Sequence, residues 1–187
     1  MAARATDASQ PISQPASQSA RAKRVFSVVS QECNDAIRRS RSDEADLLSE
    51  LAFRSKAHWG YPKSFMEACR SELTLSPSYV DGNPTFGIDS EGHVVGFYSL
   101  EALSASEVEL GYLFVEPALI GHGFGRRLID HAKREARSRG YRTMVVQGDP
   151  HAERFYRAAG GRCVGTRESD SIPGRALPLF HFDLDAD

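Results

Sequence analysis

The chain has 187 residues, of which 41% are hydrophobic and 26% charged, and a formal net charge of −2 at pH 7. That length and balance fit one soluble domain with room for a proper core. The small net charge excludes a global pull toward nucleic acid or an anionic membrane, and no apolar run is long enough to cross a bilayer.

The first 33 residues are built from Ala, Ser, Gln and Pro and bury too little apolar surface to offset their ordering entropy. They are expected to be a disordered tail without a secretory signal, with a single folded domain over 34–187. Cys33, Cys69 and Cys163 are scattered and form no CxxC pair. They read as free thiols of a cytoplasmic protein. The histidines have no zinc-like spacing, so no metal is expected.

Along the domain, "NDAIRR" is a short strand candidate. "SDEADLLSELAFRSKA" places Ala45, Leu48, Leu51 and Ala52 on one helical face, with Ser42 as its expected cap. "HWGYP" breaks that helix, and "KSFMEACRSEL" is a second, weaker one. "TFGID", "VVGFYSL" and "VELGYLFV" then form a meander of three strands, the first two joined by the turn "DSEGH". "FGRRLIDHAKREARSRG" is the strongest helix, with Phe124, Leu128, Ala132 and Ala136 recurring every four residues and Gly140 at its end. "TMVVQ" is a strand. "DPHAERFYRAAGG" is a short helix with Asp149 as N-cap and Pro150 at its first position. "RCVGTRES" and "LPLFHFDL" close the chain as two strands. The expected fold is α/β, with a mixed, mostly antiparallel twisted sheet of about seven strands and about four helices.

The segment "IGHGFGRRL" (residues 120–128) puts Gly121, Gly123 and Gly125 in one loop ahead of the strong helix. The first amides of a helix have no internal partners, and the helix dipole favours anions there. A strand, a Gly-x-Gly-x-Gly loop and a basic helix together point to phosphate binding. The dinucleotide pattern fails, because Arg126 follows Gly125 and "EPALI" separates strand from loop. The P-loop pattern fails for want of Lys followed by Ser or Thr.

A third pattern fits. "ELGYLFVEPALIGHGFGRRLIDHA" resembles the acetyl-CoA motif of the GCN5-related N-acetyltransferase (GNAT) superfamily, its core mapping onto Ile120 through Gly125. "VVQGDPHAERFYRAAGGRCVG" resembles the family's second motif, and the order of elements matches from about Ala36 to Leu184. The chain also resembles a bacterial GNAT subgroup carrying "KAHWGY" and "PGR-x-LPL" segments. Two departures stand out: Ile120 replaces the usual Arg or Gln, and Asp149 stands where many relatives have Asn.

The resemblance implies an acetyl-CoA-dependent N-acetyltransferase that acts on a small-molecule or peptide primary amine by direct attack in a ternary complex. The cofactor would contact Leu113, Phe114, Val115, Ile120, Gly121, His122, Gly123, Phe124, Gly125, Arg126 and Asp149. Its pantetheine arm would lie between "VELGYLFV" and "TMVVQ", which splay apart, and the backbone of Leu113, Phe114 and Val115 would bind it like an added strand. Tyr156 shares a helical face with Ala152, Phe155 and Ala159 and matches the family's thiolate-protonating tyrosine. Glu109 lies six residues before Val115, where the histone-modifying branch places its base. The thioester oxyanion would sit on a backbone amide near Phe114. His58, Trp59 and Tyr61 fall where the family often walls its acceptor site, and Arg175 is a candidate contact to an acidic acceptor group. His122 and His131 read as surface residues near the phosphates. A homodimer is left open. The competing readings are a non-catalytic CoA-binding regulatory module and a phosphate-binding protein of unrelated fold.

Overall fold

The computed structural model describes residues 36–185. The expected tail over 1–33 lies outside the described residues, as does Cys33. Seven strands form one sheet in the order β1-β2-β3-β4-β5-β7-β6. They are β1 (Ile37–Arg39), β2 (Thr85–Ser90), β3 (His93–Ala102), β4 (Glu107–Val115), β5 (Thr143–Gln147), β6 (Arg162–Glu168) and β7 (Ala176–Asp183). Every neighbouring pair is antiparallel except β4 with β5.

Among the described residues five helices accompany them: α1 (Ala45–Ala57), α2 (Lys63–Ala68), α3 (Pro77–Gly82), α4 (Phe124–Ser138) and α5 (Glu153–Ala158). The fifth, against the four expected, is α3. Its "PSYVDG" is dominated by turn formers, and Ser76, which accepts from the Tyr79 amide at 3.1 Å, and Pro77 at the first position mark its start. The second helix stops at Ala68 rather than near Leu73, the chain continuing as turns. Ser42 does not cap α1. It lies in a 3-10 turn, Ser42–Glu44, whose Glu44 carboxylate accepts from the Arg41 amide at 2.8 Å.

The sheet separates two apolar layers. On one face α4 buries Leu128, Ile129, Ala132 and Ala136 against Tyr98, Leu100, Met144 and Phe180. On the other, α1 buries Leu48, Leu51 and Ala52 with Val80 of α3 against Phe97. Each fully buried leucine or isoleucine contributes roughly 1.5–3 kcal/mol. His131 is not a phosphate-side surface residue. It points inward on α4, where Tyr98 Oη and His131 Nδ1 lie 2.7 Å apart and its ring meets Phe86 at 5.0 Å.

A bulge in β4 sets up the site. Leu110 pairs with Leu100 and Tyr112 with Ser99, so Gly111 has no opposite residue. The extra residue reverses the alternation of side chains. Val108 and Leu110 pack with the α4 layer, whereas Tyr112 and Phe114 pack with the α1 layer.

Candidate active site

β4 and β5 pair only over Glu107–Glu109 and Thr143–Val145. Beyond Glu109 the strands part, leaving the far half of β4 without a partner on that side. A cleft of about 630 Å³ opens there, and Leu113, Phe114, Val115 and Glu109 all line it. The splay expected between these two strands is therefore present.

One end of the cleft is the glycine loop. Gly121 and Gly123 have φ of +87° and +91°, a region that costs other residues about 1–2 kcal/mol. In this conformation the amides of Gly121, Gly123, Phe124, Gly125 and Arg126 have no hydrogen-bond partner among the described residues. They form the mouth of α4, where the dipole adds positive potential. This is a donor set suited to a diphosphate. Ile120, Gly121, Gly123, Gly125 and Arg126 line the cleft. His122 and Phe124 do not. The His122 amide donates to Leu119 O at 3.2 Å, which takes it out of the donor set, and Phe124 is buried in the core. Arg126 is held by Asp130 (Nε to Oδ2, 2.7 Å) and by Ala158 O (3.0 Å), so its guanidinium stays beside the loop.

Tyr156 lines the middle of the cleft and is only 7% exposed. Its ring lies against β5 because Gly148 has no side chain: a Cβ there would come within 2.8 Å of Tyr156 Cε2. Burial first, and the negative charge of Asp149 second, push its hydroxyl well above the ordinary phenol range. It therefore holds its proton at neutral pH. No group among the described residues hydrogen-bonds that hydroxyl.

Glu109 faces the same space but is engaged. Arg167 Nη1 of β6 donates to both its oxygens, at 2.9 and 3.2 Å. Glu101, directly across the ladder from Glu109, also lines the cleft and accepts from the Tyr79 hydroxyl. Sequence reasoning missed both Arg167 and Glu101. The β3–β4 register sets Glu101 opposite Glu109, and Arg167 reaches it as a side chain from β6 at the far edge of the sheet.

The other end of the cleft is built around Asp149. As expected, this residue caps the turn before α5, accepting from the His151 amide at 3.0 Å. It also accepts from the Tyr61 hydroxyl at 2.9 and 3.0 Å and from Arg175 Nη2 at 3.3 Å. Arg175 Nη2 donates to Tyr61 Oη at 2.6 Å and lies over the rings of Tyr61 and Phe65. Burial, reinforced by the bonds to Asp149, pushes Tyr61 up to about 12. Asp149 is thus a junction of three segments rather than a free carboxylate. Trp59 stacks on His151 at 5.1 Å and lines the cleft, while His58 meets Trp59 edge-on and is exposed. Of the four residues expected around the acceptor, only Trp59 lines the cleft, and Tyr61 and Arg175 stand behind Asp149. Lys56, at the end of α1, was not anticipated, yet it lines the cleft and is buried.

Among the described residues no group of three or more His, Cys, Asp and Glu side chains is arranged to hold a metal ion. No helix among them is long and apolar enough to cross a membrane.

Comparison with known proteins agrees with this geometry. The family model described as the acetyltransferase (GNAT) family matches residues 48–160. The chain is 29% identical over 152 residues to the peptidyl-lysine N-acetyltransferase YjaB of Escherichia coli, covering 78% of this chain and 94% of that protein. Among solved structures it resembles a GCN5-related N-acetyltransferase from Rhodopseudomonas palustris, with a TM-score of 0.67 at 21% identity over 80% of this chain and 95% of the other. It also resembles the PaiA N-acetyltransferase of Thermoplasma acidophilum in complex with coenzyme A, with a TM-score of 0.64 at 17% identity over 79% and 98% of the two chains.

Proposed function

Since the chain belongs to the acetyltransferase (GNAT) family and transfers acetyl from acetyl-CoA to an amine, we propose a division of labour along its cleft. In this reading the folded domain over 34–187 binds the diphosphate on the free amides of the 121–126 loop, with Arg126 beside them. Ile120 contributes packing in place of the usual charged contact. The pantetheine arm extends along Leu113–Val115, adding itself to the unpaired edge of β4. This sets the thioester near Tyr156 and Asp149.

The acceptor enters past Trp59. An amine with a lysine-like pKa is neutral in only about one molecule in 10³ at pH 7, so a proton acceptor raises the rate. Glu109 supplies it directly or through water, using the lone pairs that Arg167 leaves open. The neutral amine attacks the thioester carbon, and a β4 amide at the gap holds the oxyanion. As the C–S bond breaks, Tyr156 donates to the departing sulfur, and the proton from the amine restores the phenol. Burial keeps Tyr156 protonated, so its proton is in place when the sulfur departs.

The YjaB protein is named a peptidyl-lysine acetyltransferase, which supports a peptide-borne primary amine as the acceptor here. The observation that carries the reading is the set of amides, partnerless among the described residues, at the end of a cleft that also exposes Tyr156 and Glu109. The test is thiol release from acetyl-CoA in the presence of lysine-containing peptides. Acetylated peptide with matching thiol release is the expected result, and hydrolysis without transfer contradicts it.

A further inference from the structure

Lys56 is the least explained group in the cleft. Its side chain is 10% exposed, and it has no hydrogen bond among the described residues. Its nearest partners, Glu72 Oε1 and Asp149 Oδ2, are each 3.9 Å from Nζ, beyond hydrogen-bond reach. Although the stem is buried, Nζ opens onto the cleft with two carboxylates near it and none in hydrogen-bond reach, and an ammonium so placed is normally satisfied by water or by a ligand. Lys56 lines the cleft, so a group bound there can reach its N–H donors.

The surroundings decide what that group is. Glu72 and Asp149 carry two negative charges, and Lys56 and Arg175 carry two positive ones. Arg175 is already spent on Tyr61 and Asp149, and Ser171 Oγ donates to Glu72. The cluster is charge-balanced before anything binds. An added carboxylate would leave an excess negative charge beside two carboxylates. A neutral oxygen takes the free N–H donors at no such cost. The diphosphate is not this partner, because its amide cradle is the glycine loop.

We propose that Lys56 donates a hydrogen bond to a main-chain amide carbonyl of the acceptor, so that the enzyme selects peptide-borne amines over simple alkylamines. This rests on the acetyl-transfer reading above and names the feature of the acceptor that the site recognises. The flat Trp59–His151 stack beside Lys56 gives the peptide plane a surface to lie on.

The experiment compares three acceptors with the same amine: lysine capped as an amide at both ends, free lysine, and an alkylamine of matched length. Steady-state kcat/KM is measured for the wild type, Lys56→Met and Lys56→Gln, with CoA calorimetry on each variant to verify fold and cofactor site. The wild type is expected to favour the capped amide over the alkylamine by about tenfold, the effect of one hydrogen bond from a charged donor. That ratio should fall to about one in Lys56→Met and lie between in Lys56→Gln, which keeps a donor. Equal use of capped amide and alkylamine by the wild type overturns the proposal without any variant. A uniform loss on all three acceptors in Lys56→Met also overturns it, because Lys56 would then be serving the thioester. A preference for free lysine assigns a carboxylate instead and overturns it too. Binding of acetyl-CoA with no transfer to any amine overturns the acetyl-transfer reading itself.

Discussion

The Tyr61 hydroxyl donates to both oxygens of Asp149, at 2.9 and 3.0 Å, across a sequence separation of 88 residues. This contact fastens the break between α1 and α2 to the turn that starts α5, and α5 carries Tyr156. Asp149→Ala removes the cap, worth about 0.5–2 kcal/mol, takes the paired carboxylate from Arg175 and leaves Lys56 with Glu72 alone. It should lower the melting temperature and also lower kcat. Asp149→Asn keeps an accepting oxygen for the cap and should retain most of both. Thermal denaturation and steady-state kinetics on the two variants check this.

Tyr156→Phe keeps the ring against Gly148 and removes the donor to the sulfur. We expect kcat to fall by about 10²-fold, within the range for a positioned acid–base group. Acetyl-CoA affinity, measured by calorimetry, should change little. Unchanged kcat at saturating substrates removes Tyr156 from the chemistry.

Glu109→Gln tests the base through pH. Near pH 7 the variant should lose about 10²-fold in kcat/KM, because the amine must shed its proton without help. The deficit should shrink as pH approaches the amine's own pKa of about 10.4, where neutral amine is plentiful. A deficit of the same size at every pH points to a structural effect of losing the Arg167 pair.

Glu44 gives a pH prediction independent of catalysis. Arg38 donates to its carboxylate at 2.7 and 3.0 Å and the Arg41 amide at 2.8 Å. These hydrogen bonds, those from Arg38 foremost, hold its carboxyl below the usual glutamate range despite burial. The folded state thus binds this proton more weakly than the unfolded chain does. The stabilisation is full above the unfolded glutamate pKa of about 4.3 and is lost as pH falls through the lower folded value. Glu44→Gln should be less stable than wild type at pH 6 to 7 (roughly the physiological range), with the gap closing on acidification. Denaturant titrations at several pH values measure this.

The order of the main elements was legible because the glycine loop and α4 announce themselves locally, through positive-φ glycines and a four-residue apolar period. The inward face of Tyr156 was legible from the Asp149 cap, Pro150 and the closing glycines that bound its short helix. Helix α3 was not, because its "PSYVDG" is dominated by turn formers and carries no repeating apolar face. The state of Glu109 was hidden because the bulge at Gly111 changes which side chains share a face, and its partner Arg167 is 58 residues away. Tyr61 and Arg175 were expected to meet the acceptor. They meet Asp149 instead, a distinction that only tertiary packing makes. Lys56 lies four residues after Ala52, so the helical period of α1 turns it inward, but nothing local signals the cleft that it meets there.

In the proposed function, main-chain amides at the start of α4 grip the diphosphate of coenzyme A. Calorimetric titration of wild type and Gly123→Ala with CoA, and of wild type with pantetheine, tests it most directly. The account predicts saturable one-site binding of CoA and far weaker binding of pantetheine. It also predicts roughly tenfold weaker CoA binding by Gly123→Ala, because alanine resists the left-handed conformation by about 1–2 kcal/mol. Equal affinity for CoA and pantetheine, or no saturable heat with CoA, contradicts it.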